Sequence, residues 1–154
     1  MEALIERFIY EFNRNLIVED RWLGLLKGLG VTIEVTVYAI IIGTILGLIA
    51  CLMVLSKSKI LNVIAKFYIG VIRGTPLVVQ LLIIYFGIFG SVTIPKVVVA
   101  VIAFGLNSGA YLAEIFRAGI LAVSKGQTEA SRSLGFTYAQ TMRYVIMPQA
   151  FKNI

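Results

Sequence analysis

The residues best placed to do chemistry are Arg73-Gly74-Thr75-Pro76, because they interrupt a stretch that is otherwise apolar. An arginine within a membrane span costs about 2.5–3.5 kcal/mol on insertion scales, so it usually faces a bundle interior or a wet cavity. Gly74 and Pro76 break or bend a helix, and irregular backbone at membrane depth is tolerated where it lines protein or water. A guanidinium beside the Thr75 hydroxyl and freed amides suits a carboxylate. The competing reading is that Arg73 snorkels to the headgroups near Lys66 and Gly-Thr-Pro merely starts the span. Gln80 is close enough in sequence to share this region, or it bridges two helices. Asn107 and Ser108 form a second polar interruption; they can donate to a substrate or, more commonly, to a neighbouring helix. Glu114 can recognise a cationic group, but pairing with Arg117 at i, i+3 is the favoured use.

No enzyme site emerges from the same inspection. Histidine is absent, and the single cysteine, Cys51, lies deep in an apolar run, so neither a metal cluster nor an intrachain disulfide is expected. There is no phosphate-binding loop of the P-loop pattern and no triad. Glu114 and Glu129, the only acids after Glu34, stand fifteen positions apart and form no acid/base pair.

The elements that must position these residues are helices in a membrane. Of 154 residues, 59% are hydrophobic and 14% charged, and the mean hydropathy is +0.93. A soluble domain of this size cannot hide that much apolar side chain, so the fold class is an all-α integral membrane protein. Residues 1–22 carry five acids and three arginines, with Leu4, Ile5, Phe8, Ile9 and Phe12 at helical spacing. They read as an amphipathic segment on a membrane surface rather than a cleaved signal. The region 23–154 holds three hydrophobic stretches: Leu23 to Leu55, Phe67 to Phe89, and Val97 to Ala113. Ala39, Gly43, Gly47 and Cys51 form one small-residue stripe and Gly105, Gly109 and Ala113 another, which lets helices approach closely in lipid. The formal net charge is +6, and the basic residues cluster between spans, which orients a membrane protein more economically than it suggests nucleic acid. Lysine and arginine crowd segments 56–66 and 114–144, while 90–96 carries one lysine. The positive-inside rule therefore puts those two segments in the cytoplasm and the amino terminus outside a multi-pass chain in the cell membrane.

The polar segment 124–148 carries two helix-start signals, Ser124 with Gln127 and Thr137 with Gln140, each readable as a reciprocal capping box. Gly135 between them suits a left-handed residue closing the first helix. Pro148 is expected to end or kink the second. The local expectation is a helix-turn-helix, and beyond it VIMPQAFKNI is expected to open a further apolar helix, so the chain is read as truncated after Ile154. A DNA-reading helix-turn-helix would need more phosphate-neutralising residues on a separable soluble domain. A channel or regulatory membrane subunit without ATP coupling explains the stripes and Arg73, but not this segment.

Glu129-Ala130-Ser131, three residues, Gly135, nine residues and Val145-Ile146-Met147-Pro148 resembles the EAA motif of membrane subunits in binding-protein-dependent ABC importers. Ser131, Val145 and Met147 are mild departures from it. The stretch 68–87, containing RGTPLVVQ, and the stretch 106–135, containing GAYLAEIFRAGI, are similar to segments of polar amino acid permeases, with Ala118 replacing a glycine. The resemblance covers roughly residues 24–152 and implies a type I ABC importer transmembrane domain, with three spans present of about five expected. It implies inward movement of a polar amino acid by alternating access, with no catalytic site or cofactor in this chain because a partner ATPase binds the ATP. It further implies an extracytoplasmic amino acid-binding protein, a second permease subunit forming a homo- or heterodimer, and surrounding membrane lipid, but no nucleic acid. By the same likeness, Arg73, Thr75 and Pro76, with Asn107, Ser108 and Glu114, would contact substrate. Glu129, Ala130, Gly135 and Pro148 would couple the cytoplasmic loop to the ATPase, Glu129 by orienting the loop through an ion pair or cap.

Overall fold

The structure, a computed structural model, describes residues 1–154, with the side chains of residues 2 and 3 outside the description. Its longest element follows from the absence of charge between Val35 and Leu55: helix α2 runs unbroken over Arg21–Leu55. At 35 residues it is about 52 Å long, ample for a hydrocarbon core of about 30 Å. Helix α5, Lys96–Leu121, is the other helix long and apolar enough to cross a membrane by itself.

The two small-residue stripes meet. Ala39, Gly43, Gly47, Ala50 and Cys51 are the buried residues of α2, and Gly105, Gly109, Ala110 and Ala113 are among those of α5. A Cβ placed on Gly43 would lie 2.8 Å from Ser108 Cβ and 3.3 Å from the Gly105 carbonyl oxygen. On Gly47 it would lie 2.8 Å from Leu112 Cβ and 3.1 Å from the Gly109 carbonyl oxygen. Positions on both helices advance together along this seam, so α2 and α5 run parallel. Two parallel helices need an odd number of crossings between outside and inside, which agrees with a connecting segment that returns across the layer.

That connection is not one straight helix. Helix α3, Lys59–Gly74, and helix α4, Leu77–Leu82, continued by a π-helical stretch to Ile88, are bent by 107° across Thr75-Pro76. Proline supplies no amide hydrogen, and the residue before it is driven out of helical geometry; Thr75 is accordingly extended, with φ −118° and ψ 142°. The break divides the second hydrophobic stretch, leaving Phe67–Gly74 on α3 and the run from Leu77 on α4. With α2 and α5, the bent pair makes up to three spans. Ile69 of α3 packs with Ala50 and Ala113, while Ile84 beyond α4 packs with Val99 and Ala103 of α5. At the amino end, helix α1, Glu2–Phe12, exposes Leu4, Ile5, Phe8, Ile9 and Phe12. It joins α2 through a kink at Glu19 and Asp20, both at positive φ.

The polar segment folds as a helical hairpin: α6, Lys125–Ser133, then α7, Tyr138–Gln140, which continues as a π-helical stretch Thr141–Ile146 and as α8, Met147–Ala150. Two local expectations are corrected. Ser124 caps α6 by accepting from the Gly126 amide, not through a box with Gln127, whose side-chain oxygen lies 3.5 Å from the Gln149 amide nitrogen. Pro148 neither ends the second arm nor breaks it, because the widened π register over Thr141–Ile146 precedes it and the helix continues to Ala150. A proline ring collides with the carbonyl four residues back in an ideal α-helix; the wider turn relieves that clash.

Candidate functional site

The bend at Thr75-Pro76 frees backbone carbonyls that an unbroken helix would use, and one buried side chain collects them. Gln80, 6% exposed, turns the two N–H groups of Nε2 toward three acceptors, the Ile72 carbonyl at 2.6 Å, the Thr75 carbonyl at 3.0 Å and the Thr75 hydroxyl at 2.7 Å. Its Oε1 accepts from Asn107 Nδ2 of α5 at 3.2 Å. The Thr75 hydroxyl donates back to the Val71 carbonyl at 2.9 Å. Non-helical backbone survives at membrane depth only where its polar groups are satisfied, and this network satisfies the Val71, Ile72 and Thr75 carbonyls. Asn107 thus joins α5 to α4 through Gln80, the contact expected of helix-to-helix glue. Gln80 does both things its sequence position suggests, sharing the region of the break and bridging two helices.

Arg73, on the last turn of α3, lies across from Glu114 of α5. Its Nη1 is 3.9 Å from Glu114 Oε2, and its guanidinium carbon is 5.2 Å from the centre of the Tyr111 ring. Glu114 is held more tightly by Arg117, whose Nη2 donates to Oε2 at 2.7 Å and whose Nε donates to Oε1 at 3.2 Å. The i, i+3 pair expected from sequence is formed, and a third charge from another helix joins it. One carboxylate thus faces two guanidinium groups, leaving the cluster with a surplus positive charge. Arg73 keeps 42% of its side chain exposed, so this surplus is open to a further anion.

The six expected substrate residues do not converge. Arg73 and Glu114 share the charged cluster; Thr75 and Asn107 are joined through Gln80; Pro76 leads the chain into α4. Ser108 turns away from the others toward α2, where it lines a cleft of about 390 Å³ with Val31, Thr32, Ala39 and Phe104. Ser108 follows Asn107 by one position, and neighbours on a helix point about 100° apart.

The hairpin's turn at Gly135 has φ +88°. The Phe136 amide donates to the Ser131 carbonyl and the Gly135 amide to the Arg132 carbonyl, the two bonds of a Schellman closure. The Thr137–Gln140 capping box is present in both directions. Between the arms, the buried hydroxyls of Ser131 and Thr141 lie 3.0 Å apart, and Ser131 also reaches the Thr128 carbonyl at 2.9 Å. Glu129, Ala130, Gly135 and Pro148 are all exposed. The expected ion pair or cap at Glu129 is not seen: among the described residues its carboxylate meets no cation, and Gly135, the box and the hydroxyl pair brace the hairpin. No group of three or more metal-ligating side chains is found among the described residues.

Residues 39–154 match the family model of the binding-protein-dependent transport system inner membrane component. The chain is 47% identical over 132 residues to the arginine transport system permease protein ArtQ of Bacillus subtilis (strain 168), covering 84% of this chain and 60% of the relative. It is 45% identical over 140 residues to the L-cystine transport system permease protein TcyB of the same organism, covering 90% of this chain and 59% of that one. A crystal structure of an amino acid ABC transporter with histidines superposes with a TM-score of 0.72 at 48% identity, covering 86% of this chain and 65% of its own. The chain thus spans about three fifths of the length of the curated relatives it matches.

Proposed function

The chain belongs to the family of binding-protein-dependent transport system inner membrane components, and from that premise we propose that it is the permease subunit of an ATP-driven amino acid importer. The observation that carries the reading is the hairpin at 124–148. It is internally braced by a Schellman glycine, a capping box and a buried hydroxyl pair, yet it presents Glu129, Ala130 and Pro148 outward. A rigid, outward-facing polar element on a membrane chain suits a docking role. Its partner is a cytoplasmic ATPase that binds and hydrolyses ATP, and its closure moves the hairpin and rocks the helices between outward- and inward-open forms.

In this reading the multi-pass chain lies in the cell membrane with the hairpin in the cytoplasm, as the distribution of lysine and arginine supports. An extracytoplasmic binding protein delivers the amino acid, and a second permease subunit completes the path. The surplus positive charge at Arg73, Glu114 and Arg117 attracts the substrate's carboxylate, and the Glu114 carboxylate is placed to meet its ammonium group. Thr75 and Asn107, through Gln80, hold the break that presents Arg73, while Pro76 fixes the direction of α4. Relatives named for arginine and cystine share the scaffold, so the main-chain charges of the amino acid are the common feature to test first.

The test is ATP-dependent uptake of labelled amino acids by vesicles holding this subunit with its ATPase and binding protein. Gly135→Val is expected to abolish uptake and uncouple ATP hydrolysis from the binding protein. Retained uptake with an assembled complex would overturn the docking role.

A further inference from the structure

Helix α3 carries a cationic strip whose two lysines enter the transport reading only through the orientation of the chain. Lys59, Lys66 and Arg73 recur every seven positions and so fall near one line along the helix. Arg73 is engaged by Glu114 and Tyr111, but Lys59 and Lys66 are exposed and, among the described residues, have no acidic partner. Gly70 lies between Lys66 and Arg73, and nothing lies within 4 Å of where its side chain would begin, so the strip is uncovered there. Lys59 opens the helix, and the first turn contains no acid. The helix's own positive end adds to the lysine there, and the sum calls for an anion.

The rest of α3 shows where that anion would be. One flank of the strip is the protein-facing side, with Ala65 and Ile69 buried; the other is an exposed apolar arc of Ile60, Val63, Ile64 and Phe67. After the bend, the stretch Leu77–Ile88 carries no charge, whereas α3 carries Lys66 at its middle. Were α3 to cross the bilayer, Lys66 would stand exposed at mid-depth, too far from either surface for a lysine to snorkel. The bend of 107° between α3 and α4 removes the need. It lets α3 lie along the interface while α4 turns into the apolar layer.

We propose that the strip of Lys59 and Lys66 binds the phosphates of anionic phospholipid headgroups, with the neighbouring apolar arc among the acyl chains. A basic line beside an apolar face is the arrangement by which interfacial helices select anionic lipid. The proposal stands on α3 alone and does not depend on what the protein transports.

The experiment places the full chain in phosphatidylcholine vesicles containing phosphatidylglycerol and reads the relative association of spin-labelled phosphatidylglycerol and phosphatidylcholine at the protein boundary. The wild-type chain is expected to prefer phosphatidylglycerol. K59Q/K66Q is expected to lose about twenty-five-fold of the site's affinity for it, since one interfacial cation contributes about a fivefold factor. The doubly neutral control K125Q/K152Q, with the same charge change elsewhere, keeps the preference. No preference in the wild type, an unchanged preference in K59Q/K66Q, or an equal loss in the control would each overturn the proposal. So would full displacement of the lipid by inorganic phosphate, which would make the strip a site for soluble anions. A collisional depth measurement on a label at Phe67→Cys supplies a second arm: headgroup depth supports an interfacial α3, and bilayer-centre depth overturns it.

Discussion

The seam between α2 and α5 and the break between α3 and α4 hold helices together by opposite means. At the seam, side chains are removed: Gly43, Gly47, Gly105 and Gly109 bring backbone to backbone, and dispersion over a long parallel contact does the holding. At the break, side chains are added: Gln80, Thr75 and Asn107 supply the hydrogen bonds that an interrupted helix has lost. Lipid tails are as apolar as leucine, so burying more leucine would gain little in either place. The difference is in tolerance. A seam of glycines fails when anything is added, whereas a polar joint fails when a donor is taken away.

The largest effect is expected at the seam. Gly47→Leu puts a branched side chain where even a Cβ would be 2.8 Å from Leu112 Cβ and 3.1 Å from the Gly109 carbonyl oxygen. Overpacking costs about 1–3 kcal/mol and sometimes more, and backbone on the far side cannot yield. We expect a loss at or above the top of that range, read as thermal unfolding in detergent. Gly28→Leu, with nothing within 4 Å of its Cβ, serves as the control and should leave stability near wild type. An equal loss at both positions would break the account of the seam.

Next comes the joint. Gln80→Leu keeps the bulk but leaves the Ile72 and Thr75 carbonyls without their donor, at about 1–3 kcal/mol. Gln80→Glu should be worse, because a carboxylate would face two carbonyl oxygens. The measurement is amide hydrogen exchange across residues 71–80, where local opening should rise while α2 and α5 stay protected. If Gln80→Leu and Gln80→Glu behaved alike, packing rather than donation would be holding the joint.

These two regions also differ in how far the sequence disclosed them. The stripes Ala39-Gly43-Gly47-Cys51 and Gly105-Gly109-Ala113 are legible because a glycine's role is carried by its own spacing along one helix. Gly135 is legible for a similar reason, since a left-handed closure is a local property, and so is the Glu114–Arg117 pair at i, i+3. Gln80 is legible only in part: its place beside the break and a bridging role can be read from sequence, but its partner Asn107 lies 27 positions away and becomes a neighbour only after the chain bends by 107°. Arg73 stands out in the sequence for its cost in lipid, whereas its contact with Glu114 requires α3 to pack against α5. The capping box at Ser124 failed through tertiary competition, with Gln127 drawn toward Gln149, 22 positions on. Ser108 stands next to Asn107 in sequence, but the helical turn gives the two different neighbours.

The hairpin at 124–148 uses both strategies on a small scale, a glycine at the turn and a hydroxyl pair between the arms. Gly135→Ala forces a Cβ into φ +88°, with a cost of about 1–2 kcal/mol for a left-handed residue. Here the space is open, with nothing within 4 Å, so the cost is conformational and not steric. Gly135→Asn should recover part of it, as asparagine tolerates this region better. The measurement is thermal unfolding of the full chain, and equal losses for the two variants would point to contact rather than conformation.

The smallest expected effect is the most discriminating. Ser131 and Thr141 are both buried, and each hydroxyl carries one proton. With Ser131 donating to the Thr128 carbonyl at 2.9 Å, Thr141 donates across the 3.0 Å gap to Ser131, and neither proton is wasted. Ser131→Ala leaves the Thr141 hydroxyl without its acceptor, and Thr141→Val removes the donor; each should cost about 1 kcal/mol. The double variant replaces the pair with two apolar groups of similar shape. Removing both partners is nearly neutral where removing one is not, so the double loss should fall below the sum of the single losses. Strict additivity in a double-mutant cycle would show that the arms are held by packing alone. The hairpin would then resemble the glycine seam rather than the polar joint.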